Sequence, residues 1–160
     1  MRVLITGMNG FAGSHLADFL LALPDVELFG VGVGSPENIA HLAGRATFSK
    51  VDLTKPDVVG SILAQAQPER IYHLAGQAFA PISWQDPWGT IEINLRVQVN
   101  VLNAMAQMKS NARVLIVGSM DEFGRAEPKD LPIHEEVTFR PDSPYGVSKI
   151  AQDFLGLQYF

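Results

Sequence analysis

The sequence predicts an α/β fold built on a parallel sheet, and three observations carry that prediction. Short apolar runs alternate along the chain with longer segments of helical periodicity. The apolar runs are continuous, which is typical of strands that are covered on both faces. A glycine-rich turn, Gly7–Gly13, follows the first run and precedes the first helical segment. These features predict a doubly wound parallel sheet of about five strands in the order 3-2-1-4-5, with helices on both faces.

The predicted strands are the five apolar runs, and the predicted helices are the periodic segments between them. The strands are residues 3–6, 26–33, 46–51, 70–74 and 114–117. The helices are residues 11–23, a segment that begins at the N-cap Thr54, a long segment from Asp86 to about Met108, and a last one from Pro144 onward. Residues 75–85 and 119–143 lack periodicity, so we expect loops there.

Each predicted helix has an apolar stripe that we expect to be buried. In the first helix the stripe is Leu16, Phe19, Leu20 and Leu23. In the second helix it is Val58, Ile62, Leu63 and Ala66, and in the long helix Ile91, Leu95, Val99, Leu102 and Met105.

Length and composition limit the classes of function. One hundred and sixty residues predict one domain, residues 1–160. The net charge of −5 gives no general attraction to nucleic acid or an anionic membrane. The absence of cysteine excludes disulfides, thiolate metal sites and cysteine nucleophiles, and the four histidines have no convincing metal-ligand spacing. Without an 18-residue apolar run or a signal-peptide core, we expect a cytoplasmic protein.

The glycine-rich turn predicts a dinucleotide site. Gly7 permits a tight turn, Gly10 allows a pyrophosphate to approach the backbone, and Gly13 allows close packing of helix on strand. The helix N-terminus then offers free N–H groups and a partial positive charge, with Asn9 and Phe11 beside it. The alternative is a tight strand-to-helix turn that binds no ligand.

A second group of residues predicts acid–base chemistry. Tyr145 and Lys149 are four residues apart, so they share one face of a helix. A neighbouring ammonium is expected to lower the pKa of the phenol, which could then exchange a proton with a hydroxyl or carbonyl. Ser119 follows the fifth strand and could polarise the same oxygen. The alternative is an ordinary amphipathic helix.

In their joint order these residues resemble the extended short-chain dehydrogenase/reductase family, also described as NAD-dependent epimerases/dehydratases. The resemblance spans essentially the whole chain, and within the family it is closest to the nucleotide-sugar branch of GDP-4-keto-6-deoxymannose reductases and GDP-mannose 4,6-dehydratases. It rests on Thr6-Gly7-x-x-Gly10-Phe11-x-Gly13, Asp52-Leu53, His73–Ala78, Ser83–Trp88, Asn94, Gly118–Gly124 and Ser143-Pro144-Tyr145-x-x-x-Lys149.

The resemblance implies a Rossmann domain and a role for each matching residue. Tyr145 would be the acid/base, Lys149 would hold the nicotinamide ribose and tune Tyr145, and Ser119 would bind the reacting oxygen. The remaining cofactor-binding residues would be Asp52 and Leu53 at the adenine, Leu74, Ala75 and Gly76 along the phosphates and ribose, and Asn94. Asp52 could instead cap the Thr54 helix, Asn94 could be an ordinary polar helix residue, and His73 is expected to be structural.

Asp121 and Glu122 leave the type of reaction open. In family dehydratases, acidic residues at this place remove the sugar C5 proton and expel the C6 hydroxyl, but reductases of this branch carry similar acids. Met120 and Phe123 stand where the family often has a hydroxyl residue and a tyrosine. These departures favour an oxidoreductase that acts at C4 of a nucleotide-linked hexose, with a 4,6-dehydratase or a 4-epimerase as the alternatives.

Cofactor and partners follow from the same resemblance. Residues 30–35 contain no acid to repel a 2′-phosphate, which favours NADP over NAD. A GDP-sugar is the favoured substrate, and helices 86–108 and 144–160 resemble the pair that forms a homodimer in this family. Family chains are about twice as long, so the substrate domain is expected to be missing. A cofactor-binding or assembly module without catalysis is therefore an alternative of another class, and a purely structural fragment is a third.

Overall fold

The computed structural model describes residues 1–159 and contains a five-stranded parallel sheet. The strands are β1 (Arg2–Thr6), β2 (Glu27–Gly32), β3 (Thr47–Lys50), β4 (Arg70–His73) and β5 (Arg113–Ile116). Their order is β3-β2-β1-β4-β5, and every neighbouring pair is parallel. In the register, Leu4 lies opposite Phe29 on one side and Ile71 on the other. The predicted strand order is confirmed.

Five α-helices accompany the strands within the described residues. They are α1 (Phe11–Leu21), α2 (Pro56–Ala66), α3 (Ile82–Gln85), α4 (Pro87–Gln107) and α5 (Pro144–Gln158). Helix α3 interrupts the segment 75–85 that was expected to be a loop, and short 3-10 turns occupy Glu37–Leu42, Met120–Glu122 and Pro128–Asp130. Within residues 1–159 no helix combines the length and the apolar character that crossing a membrane requires.

The chain divides into two compact units, which are described separately. The sheet unit comprises Met1–Gly76 and Val97–Val117. The Tyr145 unit comprises Gln77–Arg96 and the chain from Gly118 onward. The single domain that the length predicts stays a prediction.

Both faces of the sheet unit are covered by helices. Alternate residues of a strand point to opposite faces, so Val3 and Ile5 face one side and Leu4 the other. Val3 and Ile5 pack in a buried cluster with Ala17 and Leu20 of α1. Leu4 belongs to a second cluster with residues of α2 and α4, namely Val59, Leu63, Ala66, Val97, Val101, Ala104 and Met105.

The buried stripes differ from those the sequence predicts. Phe19 of α1 is 64% exposed and Leu23 is also exposed, whereas small residues such as Gly13 and Ala17 face inward because this helix packs very close to the glycine loop. In α2, Val59 is buried together with the predicted Leu63 and Ala66, whereas Val58 is only half-buried, and the N-cap is Lys55 instead of Thr54. In α4, Ile91, Leu95 and Val99 are only half-buried, and the buried positions include Asn94, Val97, Gln98 and Val101.

Candidate functional site

The glycine loop of the sheet unit has a backbone that only glycine fits at two positions. Gly7 has φ +74°, and a Cβ there would lie 2.9 Å from the backbone nitrogen of Ala75. A Cβ on Gly13 would lie 2.3 Å from the carbonyl oxygen of Gly7, well inside van der Waals contact. The Gly7 amide donates to the carbonyl oxygen of Val31 at 2.7 Å, which ties the turn to β2. The roles predicted for Gly7 and Gly13 in the turn and in close packing are confirmed.

The N-terminus of α1 fits an anionic group. Its N-cap residue is Gly10, no side chain caps the helix, and the first turn contains no acid. Uncapped N–H groups and the helix dipole favour a negatively charged ligand at this end. Phe11 follows Gly10 and is 80% exposed. This geometry suits a pyrophosphate at the place that the glycine spacing predicts.

Asn9 connects the loop to the segment after β2. Its Nδ2 donates to the carbonyl oxygens of Val33 and Ser35. A Cβ on Gly32 would lie 2.0 Å from Asn9 Oδ1, so this glycine makes room for the amide. The described contacts of Asn9 are structural, and its contact with a cofactor stays a prediction.

Thr6 organises the segment after β4. Its Oγ1 accepts from the backbone N–H of Ala75 at 3.1 Å and lies 2.9 Å from Nδ1 of buried His73. The backbone N–H of Leu74 donates to the carbonyl oxygen of Thr6. The structural role expected for His73 is confirmed, and these bonds fix Leu74 and Ala75 just before the exposed Gly76.

Asp52 and Leu53 follow β3, and their adenine contacts stay predictions. Asp52 Oδ1 accepts from the hydroxyl of Thr54 at 2.7 Å and from its backbone N–H at 3.0 Å. These bonds hold the pKa of Asp52 below its usual value. Leu53 is buried in the core, and its carbonyl oxygen accepts from Nδ2 of Asn100 at 2.8 Å. Thr54 therefore bonds Asp52, and the prediction that it is the helix N-cap is wrong.

The Tyr145 unit brings Ser119 and Tyr145 together. Ser119 caps the 3-10 turn Met120–Glu122, where its Oγ accepts from the Asp121 N–H at 3.2 Å. The Ser119 side chain also lies against the Tyr145 phenol, where its interaction acts to lower the phenol pKa. Gly146 permits this approach, because a Cβ there would lie 2.4 Å from the carbonyl oxygen of Asp121. The two side chains therefore lie together, as their predicted shared action requires.

The pKa of Tyr145 is raised, which is the opposite of the expected direction. Burial is the largest cause, and the charges of Asp121 and Glu122 add to it, while the bond from Ser119 opposes it. Lys149 donates instead to Oε1 of Gln152 at 2.8 Å. Its own pKa is lowered by burial, against the opposing effect of two carboxyl groups. The predicted lowering of the phenol pKa is therefore wrong, because burial and two acidic neighbours raise it.

Asn94 is a buried anchor within the Tyr145 unit. Its Oδ1 accepts from the Gln77 N–H at 2.7 Å, and its Nδ2 donates to the Gln77 carbonyl and to Ser148 Oγ. Ser148 in turn donates to the carbonyl oxygen of Tyr145 at 2.7 Å. The structure thus supports the reading of Asn94 as a polar helix residue that holds α5, and its cofactor contact stays a prediction.

Glu122 is the most enclosed acid in the Tyr145 unit. It is 3% exposed, and its Oε1 accepts from the Ser119 N–H at 2.6 Å. Asp121 is half-buried beside it. The sequence reasoning missed the partners of this site, Asp153, Gln152, Ser148 and Gln77. One signal was present, because Asp153 and Gln152 follow Lys149 by four and three residues and so share its helical face.

The glycine loop and Tyr145 belong to different units, so the predicted placement of the phenol against the loop stays a prediction. Among residues 1–159 no group of three or more histidine and acidic side chains is arranged to hold a metal ion.

Comparison with known proteins identifies the family of the chain. The family model described as GDP-mannose 4,6 dehydratase matches residues 4–160. The chain belongs to this family. It is 34% identical over 158 residues to the GDP-6-deoxy-D-mannose reductase of Pseudomonas aeruginosa, covering 99% of this chain and 47% of the relative. It is 28% identical to the GDP-mannose 4,6 dehydratase of Drosophila melanogaster, covering 98% and 42%.

Solved structures show the same fold in the family and its neighbours. The UDP-glucose 4-epimerase of Thermus thermophilus in complex with NAD has a TM-score of 0.88 and 30% identity, over 99% of this chain and 50% of that one. The structure of RMD from Pseudomonas aeruginosa complexed with NADPH has a TM-score of 0.77 and 32% identity, over 99% and 48%. The chain spans about half the length of the relatives that it matches.

Proposed function

We propose that the protein is an NAD(P)-dependent oxidoreductase that reduces the C4 carbonyl of a nucleotide-linked hexose, with a GDP-4-keto-6-deoxy sugar as the favoured substrate. The observation that carries the proposal is the placement of the Ser119 side chain against the Tyr145 phenol, with Lys149 on the same helix as Tyr145. Two hydroxyl donors on one side of a carbonyl oxygen stabilise the charge that develops there during reduction. The similarity to a GDP-6-deoxy-D-mannose reductase supports this choice of substrate.

The chemistry assigns one task to each residue. NAD(P)H, when bound, supplies the hydride that adds to C4 of the sugar. Tyr145 donates its phenolic proton to the C4 oxygen, so the carbonyl becomes a hydroxyl and the phenol becomes a phenolate. Ser119 donates a hydrogen bond to the same oxygen and keeps it in place. Lys149 carries a positive charge that offsets the phenolate, and solvent then restores the proton to Tyr145.

The acids of the Tyr145 unit favour a reductase over a dehydratase. Tyr145 is a protonated phenol near neutral pH, as a proton donor must be, because its ordinary pKa of 10.0 is already high and burial raises it. Glu122 is buried, and it already bonds the Ser119 backbone. A dehydratase needs a carboxylate that reaches the sugar C5 proton, so the position of Glu122 favours the reductase over the dehydratase. Asp121 remains the acid that a dehydratase would use.

For the cofactor we favour NADPH. The segment after β2 reads Val33-Gly34-Ser35 and is exposed, with no acid to repel a 2′-phosphate. Asn9 holds this segment through the carbonyl oxygens of Val33 and Ser35. The test is the ratio of the dissociation constants for NADPH and NADH, measured by the fluorescence of the reduced nicotinamide. A lower value for NADPH supports the assignment, and a lower value for NADH contradicts it.

The activity is tested with three substrates in an active preparation of the protein. GDP-4-keto-6-deoxymannose with NADPH should give loss of absorbance at 340 nm and a GDP-6-deoxyhexose product. GDP-mannose should give no 4-keto product, and UDP-glucose should give no UDP-galactose. Dehydration of GDP-mannose or epimerisation of UDP-glucose, with no reduction of the keto sugar, would replace the proposal by one of its alternatives.

A second candidate is a cofactor-binding or assembly module without catalysis. It is favoured by the glycine loop and the uncapped N-terminus of α1, which both lie within the sheet unit. A thermal-shift experiment on the 160-residue chain distinguishes the module from the enzyme. NADPH is added first and GDP-sugars are added second. Stabilisation by NADPH without any response to the sugar supports the module, whereas turnover supports the enzyme. A purely structural fragment would respond to neither.

We also propose that the protein forms a homodimer through α4 and α5. Large apolar side chains of the Tyr145 unit are exposed on these helices, namely Trp88, Ile93, Val147, Phe154 and Leu157. Contiguous exposed apolar side chains mark a surface that another chain covers. Light scattering should give twice the chain mass, and a monomer at high concentration would contradict the dimer. The cytoplasmic location likewise stays a prediction.

A further inference from the structure

Glu122 has contacts that the proposed acid–base chemistry does not use. Its carboxyl group is 3% exposed, and Oε1 accepts from the Ser119 N–H at 2.6 Å. Glu122 and Ser119 also form a reciprocal capping box, in which each side chain bonds the backbone of the other. A buried carboxyl is costly unless hydrogen bonds compensate it. Glu122 is therefore built into the turn that carries the Ser119 hydroxyl.

A second carboxyl group lies against the first. Asp153 of α5 lies beside Glu122, and its charge and side chain raise the pKa of Glu122. Both groups lie next to Gly118, where a Cβ would be 3.0 Å from Glu122 Oε1 and 3.8 Å from both carboxyl oxygens of Asp153. Two carboxyl groups that share one site disfavour the doubly ionised form, because like charges repel each other, so a proton on one of them is favoured. The pair then carries one negative charge instead of two.

The surroundings favour the protonated form of Glu122. Burial raises its pKa most, and the charge and hydrogen bond of Asp153 raise it further. The Ser119 N–H and the Lys149 ammonium act in the opposite direction. The other charged groups nearby are Asp121 and Glu135. Asp121 lies on the same turn as Glu122. Glu135 lines a groove of about 480 Å³ together with Glu122 and Asp153. Arg140 approaches only through its backbone N–H, which donates to the Glu122 carbonyl oxygen at 2.9 Å.

We propose that Glu122 is a positioning residue, which shares one proton with Asp153 and holds the Ser119 hydroxyl on the Tyr145 phenol. The backbone bond fixes the turn that carries Ser119, and the shared proton removes one of the two negative charges from this part of the site. An ionised Glu122 opposes formation of the Tyr145 phenolate, so a neutral Glu122 favours proton donation. The consequence for activity rests on the proposed function, but the shared proton does not.

The shared proton is tested by carbon-13 NMR of carboxyl-labelled glutamate, with the Glu122 resonance assigned by its loss in Glu122→Gln. The account predicts a titration midpoint above the ordinary glutamate value of 4.5. In Asp153→Asn the midpoint should fall, because an amide donates to the carboxylate and carries no charge. A wild-type midpoint at or below the ordinary value, or no fall in Asp153→Asn, would overturn the shared proton. This measurement needs no substrate, so failure of the proposed function leaves it intact.

The pH dependence of the melting temperature gives a second test of the proton that Glu122 shares with Asp153. Because the pKa of Glu122 is higher in the folded than in the unfolded chain, its contribution to stability is complete below the unfolded value. That contribution is lost as pH rises through the folded value. Glu122→Gln cannot ionise, so the melting temperature of the wild type should fall relative to this variant as pH rises from 4 to 8. A difference that does not depend on pH would contradict the proposal.

The positioning role is tested by two variants that differ in one property. Glu122→Gln keeps an oxygen acceptor for the Ser119 N–H, whereas Glu122→Leu has similar size and no acceptor. We expect kcat to fall roughly tenfold or more further in Glu122→Leu than in Glu122→Gln, since small misplacements of reacting groups are costly. The NADPH dissociation constant should be similar in both. Equal kcat values in two folded variants would exclude the role, and if Glu122→Leu does not fold, Glu122→Ala replaces it.

Discussion

The two units of the molecule are stabilised by different kinds of side chain. In the sheet unit the buried side chains are mostly apolar and form two clusters, one on each face of the sheet. In the described part of the Tyr145 unit, the buried residues are polar or glycine, namely Ser83, Thr90, Asn94, Glu122, Gly146, Ser148, Gln152 and Gly156. Its large apolar side chains, among them Trp84, Trp88 and Leu157, are exposed.

This difference follows from what each unit does. Apolar packing gives the sheet unit a rigid frame for the glycine loop. Hydrogen bonds give the Tyr145 unit fixed directions for its hydroxyl and carboxyl groups, which apolar contacts do not supply. We therefore expect the sheet unit to be sensitive to volume and the Tyr145 unit to be sensitive to hydrogen bonding. The following substitutions test that contrast, in order of their expected effect on the free energy of unfolding.

Truncation of an apolar side chain should give the largest difference between the two units in the free energy of unfolding. Leu4 is 2% exposed at the centre of the sheet, so Leu4→Ala should lower the free energy of unfolding by about 2–5 kcal/mol. Leu157 of α5 is 70% exposed, and Leu157→Ala should change it by less than about 0.5 kcal/mol in a monomer. Urea titration of both variants checks this. A large loss in Leu157→Ala would show that another chain covers α5, as the proposed dimer requires.

Close packing at the glycine loop should give the next largest effect. Gly13→Ala places a methyl group 2.3 Å from the Gly7 carbonyl oxygen, so we expect a loss of about 2–3 kcal/mol and weaker NADPH binding. Gly60 of α2 is the matched control, because nothing lies within 4 Å of a Cβ there. Gly60→Ala should gain about 1 kcal/mol from helix propensity. Similar stabilities of the two variants would refute the close packing.

Removal of the buried Asn94 amide should test whether hydrogen bonds stabilise the Tyr145 unit. Asn94→Ala removes the bonds to Gln77 and Ser148, and we expect a loss of about 2 kcal/mol because buried partners are left unpaired. The control is Asn111→Ala, at an exposed position, with a change of less than about 0.5 kcal/mol. Thermal unfolding with the same buffer measures both. An Asn94→Ala variant as stable as the control would mean that apolar contacts stabilise this unit after all.

Substitution of the exposed Asp52 should have the smallest effect on stability, and this effect should depend on pH. Hydrogen bonds from Thr54 lower the pKa of Asp52 in the folded chain. Its stabilising contribution is therefore present above the unfolded value and lost as pH falls through the folded value. Asp52→Asn should lower the melting temperature slightly at pH 7, and this difference should shrink as pH falls below the ordinary aspartate pKa of 3.8. Thr54→Val should reproduce this pattern, and a difference that persists at low pH would contradict it.

Local patterns in the sequence predicted the sheet unit well. Continuous apolar runs and the glycine spacing were enough for the strand order and for the turn at Gly7 and Gly13. The buried face of α1 was predicted wrongly because apolar periodicity ranked Phe19 above Ala17. Close helix–strand packing instead selects small residues, and that requirement depends on the Gly7 carbonyl, which periodicity does not describe.

The Tyr145 unit was harder to predict because its contacts join distant segments. The spacing of Tyr145 and Lys149 was visible on one helix, and the family resemblance implied that Ser119 binds the oxygen that reacts with Tyr145. The pairing of Glu122 with Asp153 crosses 31 positions of the sequence and follows no short motif. The direction of the Tyr145 pKa depends on burial and on these acids, so the helical spacing alone gave the wrong sign.

The central claim, that the Tyr145 phenol donates the proton to the sugar C4 oxygen, is tested most directly by Tyr145→Phe in an active preparation of the protein. Single-turnover oxidation of bound NADPH by the 4-keto sugar is followed at 340 nm, together with the NADPH dissociation constant. We predict that hydride transfer slows by roughly 10²–10⁴-fold, because the general acid is lost. The dissociation constant should stay nearly the same. Hydride transfer at the wild-type rate would contradict the account.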